Sequence, residues 1–178
     1  MRQILCLLLL CSLLLTNCER DDICPEETPT TPQLIIRFYD LANPENFKNV
    51  PNFRIQGVGN ENILGIYAGT SATDSIVLPL RTDTMMTAYS LHKEYSYDDN
   101  DTPDDTSDDI IGGNEDIITI NYDTESIYVS RACGYKTVFR NVEISVNDDG
   151  DAWIELVQPV NDIQSVENET AAHFNIWH

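Results

Sequence analysis

The sequence predicts an all-β domain, an antiparallel two-sheet sandwich, carried behind a cleaved leader and a short tether. Three observations lead there. Short runs of β-branched and aromatic residues recur about ten times along the chain. Several of them alternate with period two, the mark of a strand with one buried and one wet face. No window of a dozen residues keeps a clean helical period, and the best helical stretch is a short piece around 162–168. An immunoglobulin-like arrangement is one form such a sandwich takes, and a barrel is the alternative.

Taken in order, the runs are Leu34–Tyr39, Phe53–Gln56, Ile63–Tyr67, Ser75–Leu80 and Met85–Leu91, then Ile117–Tyr122, Ile127–Arg131, Val138–Val146, Ala152–Val157 and Ala172–Trp177. Ile76, Leu78 and Leu80 share one face. So do Ile118, Ile120 and Tyr122, and again Val142, Ile144 and Val146. Asn147-Asp148-Asp149-Gly150 reads as a hairpin turn between two alternating runs, with Gly supplying positive φ. Asp123-Thr124-Glu125 reads as a second turn. No internal repeat is evident.

The N-terminus is a different kind of sequence. Met1-Arg2-Gln3 is a short positive start, and Ile4 to Leu15 is an apolar run of 12 residues with Ser12 its one polar member. As a helix that run reaches about 18 Å, well short of a bilayer's roughly 30 Å hydrocarbon core. It is therefore a secretory leader and not a membrane span, and residues 1–17 are expected to be removed. Leu15-Thr16-Asn17-Cys18 resembles a bacterial lipobox, in which the Cys thiol takes a diacylglyceryl group and its freed amine a further acyl chain. Cys18 is the expected lipidation site, although Asn17 departs from the usual small residue. Several acyl chains, at about 0.8 kcal/mol per buried CH₂, anchor a domain stably. The next residues complete Cys18-Glu19-Arg20-Asp21-Asp22, similar to the export signal of some Gram-negative surface lipoproteins. The expected address is thus the outer membrane, surface-exposed.

Residues 18–32 form a tether. Its end, Pro25 to Pro32, holds three Pro in eight residues and favours an extended spacer. Residues 33–178 then form a single β-rich domain. Of five Cys, two leave with the leader and one carries lipid. Cys24 and Cys133 remain as a pair in an oxidising compartment and are expected to be bonded; two separate thiols are the alternative.

The charge is lopsided: 30 acidic against 10 basic residues, net −20. Loss of the leader removes Arg2 and no acid. Such a surface repels nucleic-acid phosphate and anionic lipid headgroups, so no nucleic-acid partner is expected. The acidity concentrates in a loop over 97–113. Within it, residues 98–109 contain seven Asp and no Lys or Arg. Carboxylates suit divalent cations, but no frame here supplies an EF-hand's pattern, so a solvated hairpin loop is the first reading and a cation site the second.

Nothing points to catalysis. His92, His173 and His178 show no zinc-ligand spacing, and neither a nucleophile elbow nor a phosphate loop is present. No cofactor is expected, and the chain reads as a non-enzyme. Asp74-Ser75-Ile76 and Asp83-Thr84-Met85 are similar to a Gram-negative O-glycosylation triplet, which makes Ser75 and Thr84 minor modification candidates.

Finally, CERDDICPEETPTTPQLIIRFYDLANP, from Cys18 to Pro44, with RACGYKTVF at 131–139, resembles an uncharacterised family of small Gram-negative outer-membrane lipoproteins, a domain of unknown function. The resemblance implies an envelope location, the Cys24–Cys133 pair, and a place beside an outer-membrane barrel protein. It implies no activity. The expectation is a non-catalytic, lipid-anchored interaction or accessory component of the outer membrane. The alternative is a calcium- or glycan-binding surface module, suggested by the acidic loop with Tyr95 and Tyr97. A hydrolase is a distant third.

Overall fold

In the computed structural model, the structure describes residues 23–178 except Pro29 and Asp148. Cys18 and the leader lie outside them. Among the described residues nine strands are present: β1 (Leu34–Tyr39), β2 (Arg54–Gly57), β3 (Ile63–Ala68), β4 (Ser75–Leu78), β5 (Met86–Asp98), β6 (Ile110–Ser130), β7 (Gly134–Val146), β8 (Leu156–Pro159) and β9 (Phe174–Trp177). They form two sheets, in the orders β4-β1-β9-β8 and β3-β2-β5-β6-β7. All pairs are antiparallel except β1 with β9. The expected sandwich is present. Its strand order is not the immunoglobulin one, where the first strand lies beside the second. Here β1 lies between β4 and β9.

The alternating residues supply the core. Leu34, Ile36 and Phe38 of β1, Ile76 and Leu78 of β4, and Ile176 of β9 face Ile55, Leu91, Ile118 and Ile120 of the other sheet, all fully buried. Phe38 meets Phe53 edge-on at 5.5 Å, and Phe53 meets Trp153 at 6.0 Å. Burying each such ring or aliphatic chain stabilises the fold by roughly 1.5–3 kcal/mol before entropy is counted.

Four local expectations need correction. Asp123-Thr124-Glu125 is not a turn: β6 runs straight through it, with a register shift against β7 between Asn121 and Asp123. Asn147–Gly150 does not close a hairpin, because β7 and β8 belong to different sheets and β8 pairs with β9. Trp153 and Ile154 are buried but precede β8. The 162–168 stretch is irregular, not helical. In addition, the acidic loop is shorter than 97–113, since β5 extends to Asp98 and β6 begins at Ile110.

The long strands position everything that follows. β6 has 21 residues, yet only Asp116, Ile118, Ile120 and Tyr122 are buried. Its two ends project beyond the sandwich. One carries the acidic loop and the other the hairpin to β7. Cys24 is bonded to Cys133 at that second end, across 109 residues of sequence.

Candidate functional site

The outer face of the five-stranded sheet carries a groove of about 370 Å³ lined by Arg54, Gln56, Ser90, His92, Tyr95, Ile111, Gly113 and Glu115. Strand register explains why these residues meet. Arg54 pairs with His92, and His92 with Glu115, so the three form a row across β2, β5 and β6 on one face. Tyr95 stands three residues from His92 and would face the other way in a regular strand. A bulge corrects this. The β5–β6 register shifts between Lys93 and Ser96, and Glu94 takes φ +55°. Gly113 lies opposite with φ +100°, and a Cβ there would sit 2.5 Å from the Lys93 carbonyl oxygen.

The bulge is tied down by Glu94 N–H to Pro51 O and Tyr95 N–H to Asn52 O, at 2.8 and 3.0 Å. The Arg54 guanidinium then lies 4.6 Å above the Tyr95 ring, and the His92 ring meets the same ring edge-on at 5.2 Å. Ser90 Oγ donates to Glu115. Partial burial lowers the basicity of His92; Glu115 works against this and Arg54 with it. The result is an aromatic wall flanked by a fixed cation, a carboxylate and amide and hydroxyl groups. Such a surface suits a neutral polyhydroxylated or amide-bearing ligand.

A larger concavity, about 830 Å³, lies beside the 57–62 turn and is lined by Val58, Ile63, Leu64, Pro79, Met86 and Tyr89 among others. Val58, Ile63 and Met86 are 54%, 37% and 51% exposed. Its wall is rigid: Tyr122 Oη donates to Arg81 O at 2.8 Å, and Arg81 N–H to Thr87 Oγ1 at 3.0 Å. The adjacent strand β3 is a sheet edge. Three other edges are guarded. Tyr67 Oη accepts Val77 N–H from β4, Pro159 ends β8, and Val142 N–H of β7 is donated to Gln164 O. Strand β3 bulges against β2, since Arg54 pairs with Ala68 and Gln56 with Ile63, and Ile66 is left 80% exposed.

The acidic loop is organised by its own carboxylates. Asp98, Asp99 and Asp105 accept the N–H two residues on from Asn100, Asp101 and Ser107. Asp108 accepts from Asn100 and Thr102, and Asp109 from the Tyr97 hydroxyl at 2.9 Å. Among the described residues, no group of three or more His, Cys, Asp and Glu is placed to hold a metal ion. Ser75 lies in β4, and the Thr84 hydroxyl donates to Met86 O at 2.7 Å. Asp74 and Asp83 of the same triplets pair with Arg37 and Arg81.

One residue the sequence reading passed over is Asp116. It is fully buried, and its Oδ2 accepts the N–H groups of Trp153 and Ile154 at 3.0 and 2.8 Å. Burial pushes its carboxyl above the usual range, against those two bonds. Its parity with Ile118, Ile120 and Tyr122 was the available signal. Asp116 fixes the segment that seats Trp153 in the core, a structural role. His173 is also structural, its Nδ1 accepting Ile35 N–H at 3.0 Å.

A family of unknown function, DUF6452, matches residues 52–178. The match includes RACGYKTVF and excludes the Cys18–Pro44 stretch. No curated protein and no solved structure matches the chain.

Proposed function

From the premise that the chain belongs to DUF6452, a family of unknown function, we propose that it is a non-catalytic, lipid-anchored envelope protein that serves as an interaction component at the outer membrane. The observation that carries this reading is the concavity beside the 57–62 turn, where exposed apolar side chains stand among Asn60, Glu61, Asn62 and Arg81. Val58, Ile63 and Met86 stand exposed around a wall fixed by hydrogen bonds. Apolar side chains gathered at a concavity are how a monomer's surface marks a protein partner, and Met adapts to an irregular one. The β3 bulge makes strand addition unfavourable, so the partner is met by side chains and not through a shared sheet. A barrel protein of the outer membrane is the partner in view. Affinity capture from detergent-solubilised envelopes tests this with wild type beside an Ile63→Asp/Met86→Asp variant. A protein held by wild type and lost by the folded variant supports it. Recovery of nothing specific, or equal recovery by both, counts against it.

A second reading, a glycan-binding surface module, is favoured by the Arg54–His92–Tyr95–Glu115 groove. Calorimetry against a panel of neutral oligosaccharides separates the two readings. Heat that vanishes in Tyr95→Ala supports it. The calcium form of this reading rests on the acidic loop alone, and titration with Ca²⁺ in the same instrument tests it.

A further inference from the structure

We infer that the β6–β7 hairpin tip is a membrane-interface contact, which stands the domain on end with the acidic loop away from the bilayer. This inference rests on lipidation at Cys18.

The tether's length and landing point carry the argument. The disulfide fixes Cys24 to Cys133, in the connection between β6 and β7. Cys24 is six steps along the chain from Cys18, and at no more than about 3.5 Å each those steps span at most roughly 21 Å. Without the disulfide, the Pro-rich segment as far as Leu34 could pay out before the domain was held. With it, the hairpin tip is the part of the domain nearest the lipid.

The chemistry of that tip suits the position. Tyr128 and Tyr135 are cross-strand partners with ring centroids 5.4 Å apart. They are 57% and 70% exposed, and Ile23 beside the disulfide is 79% exposed. Tyrosine is the side chain favoured at the headgroup level, with an apolar ring and a polar end. Residues 127–137 contain Arg131 and Lys136 and no acid, which offsets Glu26 and Glu27 beside Cys24 within a chain of net charge −20. The far pole is the reverse. The seven-Asp loop lies at the start of β6, about 65 Å along the strand from its end. Anionic headgroups therefore repel the seven-Asp pole far more strongly than the tip.

The test uses the full-length lipoprotein in phosphatidylethanolamine–phosphatidylglycerol vesicles containing lipids brominated near the headgroup. Trp reporters are placed by Tyr135→Trp at the tip and Asp104→Trp in the acidic loop, each read against the parent's own Trp153 and Trp177. Mass spectrometry first establishes the lipid on Cys18. The expected result is a roughly two-fold drop of the added fluorescence for Tyr135→Trp, as for an aromatic ring at the interface, and none for Asp104→Trp. If Cys18 carries lipid and both reporters respond alike, or neither does, the inference is overturned while the anchor stands. If Cys18 carries no lipid, the anchor falls and takes the inference with it.

Discussion

Removing the Cys24–Cys133 bond perturbs the chain more than the folded domain. The native segment it holds has few other ties: Thr137 N–H to Thr31 Oγ1 at 3.1 Å, and Gln33 N–H to Glu169 Oε1 at 2.8 Å. Before Leu34 only Pro32 is buried among the described residues. Cutting the bond should therefore leave both sheets intact. The unfolded chain, by contrast, regains the freedom of a 109-residue loop. In the chain-entropy account, closing a loop of that length is worth about 4.8 kcal/mol. That is a large part of the roughly 5–15 kcal/mol that holds a typical domain together.

Urea unfolding of a Cys24→Ser/Cys133→Ser variant, beside oxidised and reduced wild type, measures it. With a denaturant slope of about 2 kcal/mol/M, the midpoint should fall by roughly 2 M. Reduced wild type should match the variant. The reasoning is refuted if the midpoint stays put while protease now trims the chain before Leu34. The bond would then be a local clasp and not a restraint on the unfolded ensemble.

Four further outcomes follow from the same contacts. Asp116→Ala leaves the Trp153 and Ile154 N–H groups buried without an acceptor and should cost about 3 kcal/mol by denaturation; Asp116→Asn keeps one acceptor and should cost less. His178 is buried and held neutral, its pKa pushed down to about 4 by burial and then by Lys93. Its contribution is present above about pH 6.5 and is lost as pH falls through 4, about 3 kcal/mol in all; His178→Phe should flatten that limb of the stability curve, while Asp116, shifted upward, tilts the other way and should steepen it when replaced by Asn. Gly113→Ala places a Cβ against the Lys93 carbonyl at positive φ and should cost about 2 kcal/mol or more, with loss of any Tyr95-dependent ligand heat. Intact mass of the native protein should equal lipid plus polypeptide if Ser75 and Thr84 are unmodified, and an added sugar mass that Thr84→Ala or Ser75→Ala removes would overturn that.

The parts of the fold that were legible are those where one strand face is dry. Ile118, Ile120 and Tyr122 alternate because the core lies on one side only, and the same holds for Ile76 and Leu78. Past Tyr122 the β6 side chains themselves are largely exposed, although their β7 partners Val138 and Phe139 are buried, and alternation vanishes in β6. That is why Asp123-Thr124-Glu125 looked like a turn, although it lies inside a paired ribbon whose cross-strand contacts include Arg140 to Glu125 at 2.8 Å and Asn141 to Asp123 at 2.8 Å. Asn147–Gly150 does carry turn residues, but such residues reverse a chain without choosing the sheet it joins. The groove was illegible for another reason. Tyr95 reaches His92 only through the bulge at Glu94, and Glu is not a residue that announces positive φ. Asp116 shares the buried parity of Ile118, Ile120 and Tyr122, but an acidic residue at the head of an apolar run carries no sign in sequence that it is buried.

The extended ends of β6 need a reason that core burial cannot give. Residues 110–115 and 123–130 bury little, and ordering each costs about 1–2 kcal/mol of backbone entropy. Ladder bonds and a few ion pairs offset that only in part, since exposed pairs contribute about 1 kcal/mol or less. At one end the disulfide supplies the missing restraint. At the other, seven Asp are held close by Asx turns despite their mutual repulsion. A domain selected for stability alone would shorten both. Retaining a tyrosine-bearing tip beside the tether and a carboxylate-dense loop at the opposite pole makes sense if distance itself is the useful property. On the proposed reading, the ribbon is a strut. It holds the 57–62 concavity, on the sandwich, and the Tyr95 groove, where the sandwich meets the acid-bearing end of the ribbon, at a fixed height above the bilayer to which Cys18 is tied.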